Sequence, residues 1–511
     1  MTTTIEALKA LDRETKGEVF ITGGYVRDLI RRRKNQDLDV VIRHMALTAI
    51  KKFLAKYGKV KEVFLSNPHD KFALPILVFQ VDGDSIEAQI ALPRRSEQQI
   101  MHVNNTLRQD CKHRDFTFNA MYLPIHAKSS KEVIDYVGGV DSIRRRRIEA
   151  VGKAEDRLKE SPIRIMRAFT LSSRLNYPIS SDLVEAIRKN RDLVMLAPIE
   201  NVRDELNEIL LSKRPSKYLK LMRKLGILAL IMPELYKCVG VRQDRRYHKY
   251  DVFTHCIYTC DHAEPELVLR LAALLHDIGK PDTRAEVKTG NGDKRITFHK
   301  HELYSVRHAQ EFLNRLRYDK KTIEAVLNLV HYHMYHYTSD MWHCTQDECT
   351  WARPANQLKE IPEYCPWCMA PIEMQPGWTD AAVRRFIIKV GIDETNIDNL
   401  DGLPLFKLRA AERLGNGLKK IAITDKQRDF QERIVDVFKG SKGLTIADLD
   451  INGHTIMDMF KLKEGQRVGE VLRHLLNCVL EKPSLNERVE LLKLATEFLY
   501  VEDKIEWTRK P

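Results

Sequence analysis

The chain has 511 residues, 43% hydrophobic and 30% charged: too apolar for a largely disordered polymer, and long enough for roughly three to four domains of ~150 residues. Lys and Arg outnumber Asp and Glu by 84 to 71, a formal net charge of +13, which favours a polyanionic partner. Nine cysteines, four of them between Cys344 and Cys368, the lack of an apolar leader and the absence of any ~18-residue apolar run argue against a secreted disulfide scaffold or a membrane protein, and for a cytoplasmic protein whose clustered thiols bind metal.

In chain order, residues 1–20 suggest a short helix leading into a strand at Glu18–Ile21. A second strand is predicted over Leu38–Ile42, and a third over Ile76–Val81 before the turn Asp82-Gly83-Asp84. From Ala154 to about Ile231 apolar residues recur at helical spacing, as at Ile163, Met166, Phe169 and Leu171. Helical patterns continue from Asp251 to Val330, break over residues 339–377, resume at Asp380, fade through Gly415–Gln431 and return from Leu444. The predicted class is α+β: a small α/β head with an antiparallel-rich sheet, then a long all-α body carrying a zinc-binding insertion. The expected divisions are a head at 1–150, a helical neck at 151–240, a helical domain at 241–420 interrupted by 339–377, and a helical tail at 421–511.

The most informative stretch is Thr22-Gly23-Gly24-Tyr25-Val26-Arg27-Asp28, followed by Asp37-Leu38-Asp39. Paired glycines after a strand let backbone N–H groups approach a triphosphate closely. Asp37 and Asp39, two apart on a strand, project from one face, which suits Mg²⁺ held by two carboxylates and substrate phosphates. Gly23-Gly24-x-Val26-Arg27-Asp28 followed by Asp37-x-Asp39 resembles the signature of bacterial class II CCA-adding enzymes and poly(A) polymerases. That resemblance implies a template-independent nucleotidyltransferase, with Asp37 and Asp39 as the catalytic, Mg²⁺-binding pair and Gly23, Gly24 and Arg27 around the triphosphate.

The resemblance continues through Asp110-x-x-x-Arg114-Asp115-Phe116-Thr117-x-Asn119-Ala120, which is similar to the family's ribose-selecting motif. It implies a phosphate contact for Arg114, a hydroxyl contact for Asp115, and a place for Asn119 in the nucleotide site. Glu160-Ser161-Pro162-Ile163-Arg164, with Met166-Arg167, resembles the amino-acid template that reads the incoming base. An Arg donor beside a carboxylate acceptor complements the edges of cytosine and adenine, so Arg164 and Arg167 are placed in the site. Ser161 stands where the family has the carboxylate, which predicts weaker discrimination against U and G unless Glu160 or a water substitutes. The stretch Ala91–Gln99, containing Arg94 and Arg95, looks shorter than the family's flexible loop, so addition limited to C is one expected outcome; Glu87 is a candidate third carboxylate.

His255, His276-Asp277-x-Gly279-Lys280, His299 and His301 match the order of an HD-type metal site. The resemblance implies His255, His276, Asp277 and Glu412 as ligands of a divalent transition metal, Glu412 replacing the usual Asp. Cys344-x₄-Cys349 and Cys365-Pro366-Trp367-Cys368 read as four thiolates of a structural Zn²⁺ site, with His343 as an alternative to one thiol. Trp342, Trp351 and Trp367 are assigned to packing around that metal in preference to base stacking.

Asn452-Gly453-His454, Gly465-x-x-Val468-Gly469-Glu470 and Pro483-x-x-Asn486 resemble the family's tail, which supports the tRNA elbow. Basic runs at Arg31–Lys34, Arg144–Arg147 and Lys213–Arg214 are assigned to an RNA backbone track. The expected activity is addition of C and A, or C alone, to tRNA 3′ ends from CTP and ATP, without a membrane or protein partner. The rival readings are a poly(A) polymerase-like tailing enzyme, an HD phosphohydrolase, and a non-catalytic RNA-binding module.

Overall fold

A computed structural model describes residues 3–508 apart from 36, 65–74, 96–100, 289–293, 336–340, 347–348, 350, 355–357, 359, 376 and 441–444. Part of the abbreviated loop, Ser96–Gln99, therefore lies outside the described residues, as does part of the cysteine-rich insertion.

The head is built on a seven-stranded sheet: β1 Glu18–Thr22, β2 Asp37–Arg43, β3 Lys59–Phe64, β4 Pro75–Gln80, β5 Glu87–Ala91, β6 Met121–Pro124 and β7 Ile134–Asp135, in the order β3-β4-β5-β2-β1-β6-β7. Only β2 and β5 run parallel; the other pairs are antiparallel. Strand β2 is central and fully apolar in its middle, where Leu38, Val40, Val41 and Ile42 are buried, as expected of a strand covered on both faces. Its N-terminal end is polar: the strand begins at the exposed Asp37 and runs from there into the core.

After the head, helices dominate. The stretch Ala154–Ile231 is helical as its periodicity predicts. The body is not all α, however. A hairpin of β8 Arg284–Lys288 and β9 Lys294–Phe298 interrupts it, and the insertion folds as β10 Met341–Cys344, β11 Ala352–Pro354 and β12 Ile372–Gln375 in the order β11-β10-β12. Both hairpin strands alternate polar and apolar residues, a period of two that the neighbouring His-rich helices obscure. The polar stretch Gly415–Gln431 does not stay irregular either: a helix spans Asp425–Gly440 and buries Phe430, Ile434 and Val437 along one stripe.

One apolar core runs without interruption from Ala7 to Val437, so head, neck and histidine-rich region pack as one body. The tail has its own core, from Leu449 to Ala495. Among the described residues no helix is long and apolar enough to cross a membrane.

Candidate nucleotide and metal sites

A cavity of about 580 Å³ opens at the end of β2, within the range of small-molecule sites. Strand β1 enters it at Thr22, whose hydroxyl donates to the Met121 carbonyl at 2.8 Å, and the chain turns at once into the helix Gly23–Ile30. Gly23 has φ +67°, and a Cβ there would sit 2.2 Å from Asp39 Oδ2. Only glycine lets the turn come that close to the carboxylate. At Gly24 the demand is milder: a Cβ would meet Arg27 and Asn35 side-chain nitrogens at 3.4 Å.

Asp37 and Asp39 occupy one face of β2, and in register across the parallel pair stand Glu87 and Gln89 of β5. Glu87 is beside Asp37, but the residue that lines the cavity is Gln89. Burial pushes the Asp39 carboxyl up, against the pull of the Arg114 and Arg167 guanidiniums and a hydrogen bond from the Gly24 N–H. Two hard oxygen ligands with phosphate-binding groups opposite are a donor set that fits Mg²⁺.

Arg27 is held from behind. Asp28 accepts from its Nε at 3.0 Å and Nη2 at 2.6 Å, and also from Arg31 and Asn35 at 2.9 Å each. Burial opposes ionisation of Asp28, but the Arg27 contacts prevail and hold its carboxyl below the usual range. Asn119 then joins two walls of the cavity, accepting from Arg27 at 3.2 Å and donating to Asp115 at 3.3 Å.

Arg114 and Asp115, adjacent in sequence, do not pair with each other. Arg114 donates to Asp110 at 2.8 Å and to the Tyr122 hydroxyl at 3.2 Å, while that hydroxyl donates to Asp110 at 2.5 Å. This buried network fixes the guanidinium plane at the cavity wall. Asp115 faces Arg167 at 3.5 Å; burial opposes its ionisation, yet the charge of Arg167 keeps its carboxyl low.

The neck supplies the opposite wall. Ser161 ends the helix Ala154–Glu160, and Arg164 starts the helix Arg164–Leu175. Glu160 cannot replace the missing template carboxylate: it is buried, engaged by Arg164 at 2.6 Å, Arg157 at 2.9 Å and His113 at 2.9 Å. Its role in this geometry is to hold Arg164, which also donates to the Arg157 carbonyl. Eleven of the head and neck residues singled out from the sequence, from Gly23 to Arg167, line this one cavity, and Glu87 does not. Sequence reasoning missed Asn35, Gln89, Arg174 and Asn201, which line it too. Arg174 carried a signal, since Arg164, Arg167, Leu171 and Arg174 share one helix face.

In the body, His255, His276 and Asp277 meet in one buried group, and Asp277, His301 and His333 in a second. Gly279 makes the second possible: a Cβ there would sit 2.4 Å from both His301 O and Ser305 N, so the helix His301–Arg315 packs directly on the turn. His299 is exposed. Glu412, expected as the fourth ligand, stands outside both groups; its carboxylate is taken by Arg409 at 2.8 Å. His333 was missed because His331-Tyr332-His333 reads as an ordinary helix end.

The four cysteines of the insertion converge, with all Sγ atoms within 4.8 Å of one another, Cys344–Cys368 at 3.3 Å and Cys349–Cys365 at 3.6 Å. Tetrahedral thiolates about 2.3 Å from zinc lie roughly 3.8 Å apart, so the set fits Zn²⁺. His343, the alternative, is absent from the group; strand alternation turns it to the other face of β10 from Cys344. Trp351 is buried among these thiols with Trp342 packed beside them, whereas Trp367 is 61% exposed.

Sheet, cavity and helical body together define a class: a nucleotidyltransferase head joined to a helical RNA-binding neck. The "Poly A polymerase head domain" profile matches residues 19–149, "Probable RNA and SrmB- binding site of polymerase A" residues 176–238, and "HD domain" residues 245–363. The chain belongs to the family of poly(A) polymerases and CCA-adding tRNA nucleotidyltransferases. It is 31% identical over 245 residues to an A-adding tRNA nucleotidyltransferase of Deinococcus radiodurans, the match covering 46% of this chain and 54% of that relative. It is 28% identical over 338 residues to the multifunctional CCA protein of Dechloromonas aromatica, covering 62% and 73%. The stretch thus spans about half the length of the first relative. In fold, the chain resembles the Bacillus stearothermophilus CCA-adding enzyme solved with CTP, at TM-score 0.57 and 18% identity over 98% of each chain.

Proposed function

We propose that the protein is a template-independent tRNA nucleotidyltransferase that adds C, A or both to tRNA 3′ ends from CTP and ATP. The observation that carries this reading is the convergence of Asp37, Asp39, the Gly23-Gly24 turn and the arginines of head and neck on one cavity. The relatives named for A addition or CCA addition support it. Asp37 and Asp39 hold Mg²⁺, which when bound lowers the cost of forming the attacking 3′-alkoxide and of releasing pyrophosphate. Gly23, Gly24, Arg27 and Arg114 cradle the triphosphate, and Asp115, positioned by Asn119, accepts from a ribose hydroxyl. Arg164, clamped by Glu160, presents donors to the base edge, and Arg167 balances the charge of Asp115 and Asp39. The exposed Arg33 and Arg146 line a second cavity with Arg31 and Tyr177, a start for the RNA backbone track.

We place a structural zinc ion on Cys344, Cys349, Cys365 and Cys368. The remaining cysteines are free as well, which suits the reducing cytoplasm. We divide the chain into head, neck, HD region and tail; profile matches at residues 19–149, 176–238 and 245–363 support the first three. Their common core also takes in Phe430, Ile434 and Val437, so the tail is better begun after the helix Asp425–Gly440. The decisive experiment supplies tRNA lacking its CCA end with each labelled nucleotide and sizes the products. Additions of one to three residues support the reading; long A tails favour a poly(A)-type enzyme, and no incorporation defeats both.

Two substitutions probe the cavity. Gly23→Ala places a side chain in a left-handed conformation, costing ~1–2 kcal/mol, and displaces Asp39. We expect kcat/KM for CTP to fall by about a hundredfold, equivalent to ~2.7 kcal/mol; a change within threefold would contradict the assigned geometry. Ser161→Asp restores a carboxylate beside Arg164. It is expected to sharpen rejection of UTP and GTP by about tenfold, the worth of one charge-assisted hydrogen bond of ~1.4 kcal/mol, as read by nucleotide competition; unchanged selectivity would rule out Ser161 as a determinant.

A further inference from the structure

The cysteine-rich insertion carries an exposed apolar knob, and the helices on either side of the insertion form an apolar socket. We propose that the knob of one chain docks in the socket of a second copy, two copies exchanging insertions across a two-fold axis. The knob is the turn between the second cysteine pair and β12. The Cys365 N–H donates to the Ala370 carbonyl at 2.8 Å, the Met369 N–H donates to the Cys365 carbonyl at 2.9 Å, and Tyr364 bridges to Pro371. This tight loop turns Tyr364, Trp367 and Met369 to solvent, Met369 by 71%, and Ile361 and Met374 just before and after it are exposed as well. Single exposed apolar residues are ordinary; five within fourteen positions make a patch. Met369 also holds φ +61°, a left-handed backbone that glycine adopts without strain. Among the described residues it takes no part in the insertion's own apolar cluster, so packing inside the insertion does not offset that strain.

The socket is a cavity of about 390 Å³ between the end of the helix Lys320–Tyr332 and the helix Asp380–Val390. Met334, Tyr335, Trp378 and Phe386 form its apolar wall. The Phe386 ring lies 5.2 Å from that of Tyr335 and 5.6 Å from that of Trp378, an aromatic box suited to an indole or a thioether. Charge selects the occupant. Residues 339–377 hold six Asp or Glu against two Lys or Arg, whereas the rest of the chain holds 65 against 82. An acidic knob repels RNA phosphate and is drawn to the basic remainder of another copy. Glu363 and Glu373 stand exposed in the knob. At the socket, Lys389 and Arg385, the latter also paired with Glu481, outnumber Glu302. The chain leaves the socket at Tyr335 and returns to it at Trp378, so each knob springs from the walls of its own socket, and one two-fold axis brings both contacts together. Trp367 stays exposed, so the knob does not fill the socket of its own chain. A buried aromatic contributes ~150–250 Å². Two reciprocal contacts, each covering a knob and the socket around it, therefore reach the ~1,200–2,000 Å² of a stable interface.

The contact uses no residue of the nucleotide cavity, so it stands apart from the activity proposed above. Sedimentation velocity of the full chain over a concentration series tests it. A reversible dimer is expected, and Trp367→Ala combined with Met369→Ala should weaken it at least a hundredfold. Lys389→Glu, on the exposed rim of the socket, should weaken it about tenfold and tests the contact without touching the insertion. The sharpest arm mixes the knob variant with a socket variant, Ala382→Arg. Each alone lacks both contacts, but the mixture keeps one, the intact knob of the second in the intact socket of the first. A heterodimer tighter than either homodimer is expected, read by labelling one variant with a fluorophore. A monomer at every concentration would overturn the proposal, including the case in which the knob closes on its own socket. A monomer whose tRNA affinity falls with Trp367→Ala would give the knob to RNA and overturn it too. A dimer that none of these substitutions weakens, or a mixture no tighter than its components, would place the interface elsewhere.

Discussion

Asp39→Asn is expected to reduce nucleotide incorporation at least a thousandfold while leaving the fold intact. A thousandfold is ~4 kcal/mol of transition-state stabilisation, the scale of losing a metal-binding carboxylate. The substitution keeps volume and hydrogen-bonding shape, and the amide oxygen can still accept from the Gly24 N–H that now meets Asp39. Burial already disfavours the negative charge at this position, so a neutral side chain relieves a cost rather than adding one. Melting temperature should therefore stay within a few degrees of the parent or rise. Single-turnover incorporation of labelled CTP, read beside a thermal melt, separates the two effects. Activity within tenfold of the parent would move the chemistry away from β2, and a large fall in melting temperature would show that Asp39 is a structural charge.

The second large effect is expected at Cys365→Ala. Four-thiolate zinc sites contribute on the order of 10–16 kcal/mol of metal-coupled folding free energy in isolated peptides. The insertion has little else: its core cluster of buried residues is Cys344, Trp351 and Cys365. Loss of one thiolate should release one zinc ion per chain and open residues around 341–375 to protease and to rapid amide exchange. Nucleotide addition should be retained within about threefold, because among the described residues that cluster is made of insertion residues alone. Elemental analysis and limited proteolysis check both halves. Unchanged zinc content would remove Cys365 from the ligand set, and lost incorporation would make the insertion part of the RNA path.

Much of the site could be read before any coordinates because its chemistry is local. Asp37 and Asp39 share a strand, Gly23 and Gly24 share a turn, and Cys365 and Cys368 share a knuckle; each pattern carries its own geometry. The parts that could not be read depend on residues brought together by packing. Arg114 and Asp115 are neighbours, yet Tyr122 and Asp110 claim the first and Arg167 the second. Glu160 looked available for base recognition until three cationic or ring nitrogens proved to surround it. Glu412 was read as the fourth ligand because it stands where the family has an Asp, while the fold brings His333 beside Asp277 from the end of the helix Lys320–Tyr332. Strands β3, β5, β6 and β7 escaped notice for other reasons: β6 and β7 have only four and two residues, and β3 is charged and largely exposed.

The continuous core from Ala7 to Val437 bears on how the molecule comes apart. Residues whose apolar contacts interlock open together, as a single cooperative unit, whereas a region with its own core can open alone at lower free energy. The tail core of Leu449–Ala495 is such a region, tethered where Arg384 donates to the Leu480 carbonyl at 2.7 Å. Heating should therefore show two calorimetric transitions, the tail melting without disturbing the rest. The proposed catalytic pair Asp37 and Asp39, and Arg164 on the opposite wall of the cavity, lie inside the unit that opens last. Their spacing is then held by the same contacts that keep the protein folded, and whatever flexibility RNA release requires is confined to the far end.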